Sequence, residues 1–344
     1  MSQESPGALT LRDQWGRVAR DLRLSLTDRC NLRCSYCMPP EGLEWLPTEQ
    51  TLSDAEVMRL IRIAVEMLGV EEIRFTGGEP LLRKSLPELV SFAASLKTAS
   101  GKKPDLSLTT NGLGLDKKAA TLAAAGLDRV NVSMDSVDSG IYRHISHRDR
   151  LDDVFAGLRA AREAGLTPIK VNAVAMRGVN DAGLPDLLRV CLQAGAQLRI
   201  IEHMPLGPRE TWSRENMVPQ DEILELLGET FELTEAERDP SAPAQLWSVA
   251  PGADHPGGSV GIIASVTVPF CSTCDRTRLT ADGQVRNCLF AQTETDLRGP
   301  MRAGASDAEL AKLWAEAMWA KKPGHGIDNP DFVQPDRLMS EIGG

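Results

Sequence analysis

Six of the seven cysteines fall in two compact groups: Cys30, Cys34 and Cys37, then Cys271, Cys274 and Cys288. Each group is odd in number, so neither can pair off internally as disulfides, and metal ligation accounts for them better. Three thiolates can hold three irons of a 4Fe-4S cluster and leave the fourth iron open to a small molecule. A structural zinc site wants four tetrahedral ligands. None of His144, His147, His203, His255 or His325 lies within either triplet to supply one. A structural metal protein stays the alternative, which the identity of the bound metal decides. Cys191, alone between Val190 and Leu192 in a helix-like stretch, reads as a small buried hydrophobe.

The first triplet directly follows a run, 21–27, in which Leu22, Leu24 and Leu26 alternate with Arg23, Ser25 and Thr27. Further strand-like runs are predicted at 73–76, 106–110, 130–134, 169–174 and 198–203, separated by five helix-like segments. The clearest helix is 53–68, with Ser53 as N-cap, Glu56 as its capping-box partner, apolar residues at helical spacing and Gly69 at its end. Strands taking turns with helices imply parallel strands joined by right-handed crossovers. Six strands are fewer than the eight of a closed barrel. The expected fold is therefore α/β, an open, incomplete (β/α)6 TIM-type barrel with a smaller C-terminal region carrying the second cysteine triplet. The expected boundaries are an N-terminal extension 1–20, the partial barrel 21–205 and the Pro- and Gly-rich C-terminal region 206–344.

Alternate residues of such strands point into the lumen, and here that set is polar: Arg23, Arg74, Ser107, Thr109, Asn131, Ser133, Lys170 and Asn172. Barrel interiors are ordinarily packed with branched apolar residues, so this one calls for a polar, anionic occupant. Half-exposed antiparallel strands are the competing reading, opposed by the intervening helices. The chain has 344 residues, 42% hydrophobic, with no apolar run of membrane length. Thirty-eight basic against 48 acidic residues give a net charge of −10, which disfavours general affinity for nucleic acid or anionic membranes. The composition points to a cytoplasmic enzyme, and any phosphate ligand must be met by a local basic pocket.

Cys-x3-Cys-x2-Cys with Tyr36 before the last cysteine resembles the radical S-adenosylmethionine (SAM) enzymes, and Thr76-Gly77-Gly78-Glu79-Pro80 is similar to their GGE segment. The second triplet, the run Cys274-Asp275-Arg276-Thr277-Arg278, the segments 21–30, 74–80, 109–112 and 131–136, and the tail Ile342-Gly343-Gly344 narrow the resemblance to the GTP 3',8-cyclases of molybdenum cofactor biosynthesis. That resemblance implies two 4Fe-4S clusters, one at each triplet, with SAM cleaved at the first and GTP bound at the second. It further implies hydrogen removal from ribose C3' and attack of that carbon on guanine C8. Carried onto matching positions, it assigns Tyr36, Gly78, Ser133 and Met204 to SAM. Arg23, Arg74, Thr109, Lys170, Arg276, Thr277 and Arg278 go to GTP. An external electron donor, a homodimer and a double-glycine tail reaching the active site are implied as well. The segment 143–148 departs from the pattern in lacking a glycine. A radical SAM enzyme acting on RNA or peptide is the rival; the acidic charge and two tyrosines oppose RNA, and the paired arginines beside the second triplet oppose a peptide.

Overall fold

The computed structural model describes residues 9–237 and 239–343. Strands β1 (Asp21–Ser25), β2 (Glu72–Thr76), β3 (Asp105–Thr110), β4 (Arg129–Ser133), β5 (Lys170–Ala175) and β6 (Gln197–Glu202) pair in parallel, each with the next. Five crossovers join them. Their helices are α1 (Asp54–Arg62), α2 (Leu86–Ser95), α3 (Leu115–Ala124), the pair α4 (Ser139–Ser146) and α5 (Leu151–Glu163), and α6 (Leu184–Gln193). Helix α1 begins with both halves of the Ser53 and Glu56 capping box and continues as a π-helical turn, Ile63–Met67, ahead of Gly69.

The rest of the chain forms α7 (Gln220–Gly228), β7 (Leu233–Glu235), β8 (Gln245–Val249), β9 (Gly258–Ile263), β10 (Arg276–Leu279), β11 (Gln284–Arg286), β12 (Thr295–Asp296), α8 (Arg298–Arg302), α9 (Asp307–Trp319) and α10 (Met339–Ile342). Strand β9 adds parallel to β6 and β10 adds parallel to β1. The parallel run therefore holds eight strands, two more than the alternation before residue 205 implies. Antiparallel β11 and β12 continue it beyond β10, and β8 and β7 beyond β9. The sheet stays open between its ends, and the segment 264–275, carrying Cys271 and Cys274, leads the chain from one end of the parallel run, β9, to the other, β10.

One face of every parallel strand is apolar and packs under the helices: Leu22, Leu24, Ile73, Phe75, Leu106, Leu108, Val130, Val132, Val171, Leu198 and Ile200 are buried in one core. Parallel register then stacks the polar partners on the other face. Arg23 lies beside Arg74 and Arg278, Asn131 beside Thr109 and Lys170, and Asn172 beside Ser133 and Arg199.

Candidate active site

The first cysteine loop leaves the C-terminal end of β1, the end at which barrels of this type carry their sites. Its backbone is tied to the end of α4, where Arg33 and Ser35 amides donate to the Ser146 and Ile145 carbonyls at 3.1 and 3.0 Å. The next residue, His147, holds a left-handed conformation (φ 55°) within the segment 143–148, in which a glycine was expected. The Gly78 and Glu79 amides donate to the carbonyls of Thr27 and Arg29 at 2.6 and 2.7 Å. A Cβ at Gly78 would lie 2.4 Å from the Arg29 carbonyl oxygen, so only glycine permits this contact. The Glu79 carboxylate, fully buried and pushed up to about 7 by that burial, accepts from Leu81 N, Thr110 Oγ1 and Asn111 N and thereby ties β2 to the end of β3.

Cys30, Cys34 and Cys37 share a cavity with Tyr36, Gly78, Thr109, Ser133 and Asp135. Burial pushes the Cys37 thiol up to about 12 and Cys34 well above its usual value, and Cys30 adds to both. Three thiols gathered on one cavity can exchange their protons for metal. Tyr36 Oη donates to Asp135 at 3.0 Å, and the other Asp135 oxygen accepts from Val174 N at 2.8 Å. Burial holds this carboxyl up at about 6.

In the lumen the cations outnumber their counterions. Arg23 is paired with Asp21 through two nitrogens, at 3.0 and 2.8 Å, and Arg129 with Glu72 and Asp105. Among the described residues Arg74 donates only to Ser107 Oγ (3.2 Å), Arg199 to Gln197 Oε1 (3.2 Å) and Arg278 to the Gly343 carbonyl (2.8 Å). Among the described residues no carboxylate forms an ion pair with Arg74, Lys170, Arg199 or Arg278. Desolvation, then the neighbouring arginines, pushes Lys170 down to about 7, Arg278 to about 9 and Arg199 to about 10, and Arg74 well down. Buried like charges left uncompensated are costly, so this lumen suits a polyanion.

Cys271 lies in the turn Cys271–Thr273, Cys274 just before β10 and Cys288 just after β11. They line a second cavity with Met204, Phe270, Arg276, Arg278, Asn287, Phe290 and His325. Burial raises the Cys271 thiol. At Cys274 burial also raises it, but the Lys321 ammonium and Arg276 guanidinium outweigh burial and the net direction is down. Among the described residues no three His, Cys, Asp or Glu side chains converge on one metal ion. Two cavities each faced by three thiols fit polynuclear clusters, whose ligands sit on separate irons, better than single zinc ions.

The C-terminal tail enters between these parts. Met339 and Ser340 line the first cavity. Gly343 is buried at φ 75°, where a Cβ would meet Thr76 Cγ2 at 2.9 Å and Ser25 Cβ at 3.0 Å. Gly344 lies outside the described residues.

The structure brings Tyr36, Gly78 and Ser133 to the first cavity, with Thr109, and Arg276 and Arg278 to the second. Met204 lines the second cavity rather than the first. Thr277 stands apart from its neighbours: it pairs with Leu22 on the outer face, and its hydroxyl accepts from Trp314 Nε1 at 2.9 Å, so its backbone rather than its side chain is open to the lumen side. Arg129 and Arg199, absent from the sequence-based assignment, follow the same two-residue alternation as Asn131 and Asn172 and were legible by it. Lys321 carried no sequence signal.

An open parallel barrel with a three-cysteine loop after its first strand defines a radical SAM protein, and residues 24–191 match the model of the Radical SAM superfamily. Residues 196–327 match that of Molybdenum Cofactor Synthesis C. The solved structure of Streptococcus suis SuiB shares the fold at a TM-score of 0.57, with 14% identity over 90% of this chain and 68% of that one. Native anSMEcpe with bound AdoMet does so at 0.50, with 18% identity over 61% of this chain and 60% of that one. The GTP 3',8-cyclase of Corynebacterium glutamicum is 60% identical over 98% of this chain and 90% of its own length. Those of Mycobacterium marinum and Streptomyces coelicolor are 57% and 56% identical over 100% of this chain and 95% and 99% of theirs. The chain belongs to the GTP 3',8-cyclase family.

Proposed function

We propose that this chain converts GTP to 3',8-cyclo-7,8-dihydro-GTP in molybdenum cofactor biosynthesis, as a radical SAM lyase. The observation that carries the reading is the set of cations that form no carboxylate ion pair among the described residues, Arg74, Lys170, Arg199 and Arg278, in a lumen that also holds the two thiol-lined cavities. Cys30, Cys34 and Cys37 would hold one 4Fe-4S cluster and Cys271, Cys274 and Cys288 the other. When bound, the first supplies the electron that cleaves SAM to a 5'-deoxyadenosyl radical and the second an open iron for the purine.

The chain's own part is to bind and orient. Tyr36, Gly78 and Ser133 receive SAM at the first cavity, with Asp135 fixing the Tyr36 ring through its hydroxyl. Arg23, Arg74, Lys170, Arg276 and Arg278 receive the triphosphate, the guanidinium forks fixing its orientation and thus the ribose. Thr109 borders the first cavity and Met204 the second, and they would contact GTP and SAM respectively. Thr277 contributes at most its backbone. The proposal extends to an external electron donor, a homodimer and a cytoplasmic location; among the described residues no helix is long and apolar enough to cross a membrane.

The test is a division of labour between two variants in the anaerobically reconstituted enzyme with SAM and dithionite. Cys34→Ser should abolish 5'-deoxyadenosine formation, whereas Arg276→Ala should keep SAM cleavage and lose GTP-dependent turnover. Equal loss of SAM cleavage without GTP in both variants counts against the assignment.

A further inference from the structure

Lys321 follows the C-terminus of α9 and is only 4% exposed, a burial that lysine rarely shows without a partner. All three of its N–H donors are engaged on one short segment: the Cys274 carbonyl at 3.2 Å, the Arg276 carbonyl at 3.0 Å and the Cys274 sulfur at 3.4 Å. A lysine near a helix end ordinarily serves that helix's own last carbonyls. This one reaches across to the second cysteine loop instead. Among the described residues no carboxylate is paired with it.

The contrast with Arg17 is informative. Arg17 stitches the same two segments together, donating to the carbonyls of Cys271 (2.6 Å), Lys322 (2.6 Å) and Pro323 (3.0 Å), but its charge is offset by Asp13. Backbone stitching therefore needs no uncompensated cation. Arg276 also approaches the Cys274 sulfur, at 3.8 Å, yet it is committed to the lumen face of β10. Among the described residues the acceptors of Lys321 are two backbone carbonyls and the Cys274 sulfur, so the one group there that can carry a balancing negative charge is that sulfur with whatever it binds.

We propose that Lys321 is a positioning residue of the second cluster, fixing the Cys274 sulfur and supplying the positive charge that raises this cluster's reduction potential. Reduction adds one electron to a cluster already made anionic by three thiolates, and a desolvated cation beside a ligand sulfur stabilises the reduced form more than the oxidised. The inference rests on the assignment of Cys271, Cys274 and Cys288 to the second cluster.

The experiment is a redox titration, followed by electron paramagnetic resonance, of the full reconstituted chain and its Lys321→Gln, Lys321→Met and Lys321→Arg variants. Signals are assigned to each cluster by their loss in Cys34→Ser and Cys274→Ser. The expected result is that Gln and Met weaken reduction of the second cluster at least tenfold, about 59 mV for one electron. Arg should stay close to the parent, and the first cluster should not move. Gln can still bond both carbonyls, so it keeps the test valid where Met disrupts the loop. An unchanged second-cluster potential in Lys321→Gln overturns the proposal. Iron content separates this from failure of the underlying reading: about eight irons per chain support two 4Fe-4S clusters, and about four in the parent chain defeat the cluster assignment itself.

Discussion

Binding of GTP should take up a proton, and Lys170 should be its destination. In the free chain desolvation, together with Arg199, Arg129 and Arg74, holds the Lys170 amine at about 7, with Glu72 pulling weakly the other way. At pH 8 about nine tenths of these amines are therefore neutral, whereas a triphosphate lodged against them restores the ordinary lysine value near 10. The sign follows directly: the complex binds more protons than the free chain, so affinity falls as pH rises above 7. Between pH 8 and pH 9 the fall should be about ninefold, with an uptake of roughly 0.9 proton per GTP at pH 8. At that pH the triphosphate is itself ionised and releases no proton of its own. Calorimetric titration with GTP in two buffers of different ionisation enthalpy measures the uptake. Lys170→Met should bind more weakly with the uptake at pH 8 cut to roughly 0.1 proton, the share left by Arg278, and Lys170→Arg should keep only a comparably small pH dependence. Equal uptake in the parent and Lys170→Met would refute the reasoning, because the proton would then belong elsewhere.

Thr277→Val should leave kcat and KM for GTP unchanged while costing about 1 to 2 kcal/mol of stability, since the Trp314 indole N–H loses its acceptor; a raised KM with an unchanged unfolding midpoint would show that the hydroxyl meets substrate instead. His147→Gly should stabilise the chain by about 1 kcal/mol by relieving the left-handed cap, read from urea unfolding. No gain there means the cap carries no strain. Asp135 has a folded value of about 6 against about 3.9 unfolded, so its ionisation weakens the fold progressively from pH 4 to pH 6 and by a constant amount, about 3 kcal/mol, above that. Asp135→Asn should thus gain stability relative to the parent at pH 7.5 but not at pH 4, and a difference independent of pH contradicts the shift.

The first half of the barrel was legible because its strands alternate with period two and its first helix opens on a capping box, both local signals. Ser53 and Glu56 form the capping box that their spacing predicts, and Leu22, Leu24, Ile73 and Phe75 lie on the buried face. The two additional parallel strands were not legible. Gly258–Ile263 and Arg276–Leu279 are short, follow irregular Pro- and Gly-rich text, and are defined by pairing with β6 and β1, far away in the chain. At the site, cysteine spacing marked both triplets, and the alternation marked Arg23, Arg74 and Lys170. The same alternation, applied strictly to Arg276-Thr277-Arg278, separates Thr277 from its neighbours, since adjacent residues of a strand face opposite sides. Lys321 could not be found this way, because a buried lysine after a helix looks like any solvated one until the loop it touches is in place.

The central claim is tested most directly with GTP carrying deuterium at ribose C3', incubated anaerobically with the reconstituted chain, SAM and dithionite. The account predicts that mass spectrometry finds the deuterium in 5'-deoxyadenosine, together with a cyclised GTP that has lost it. Unlabelled 5'-deoxyadenosine beside intact GTP would contradict it, leaving SAM cleavage in place but removing GTP as the substrate.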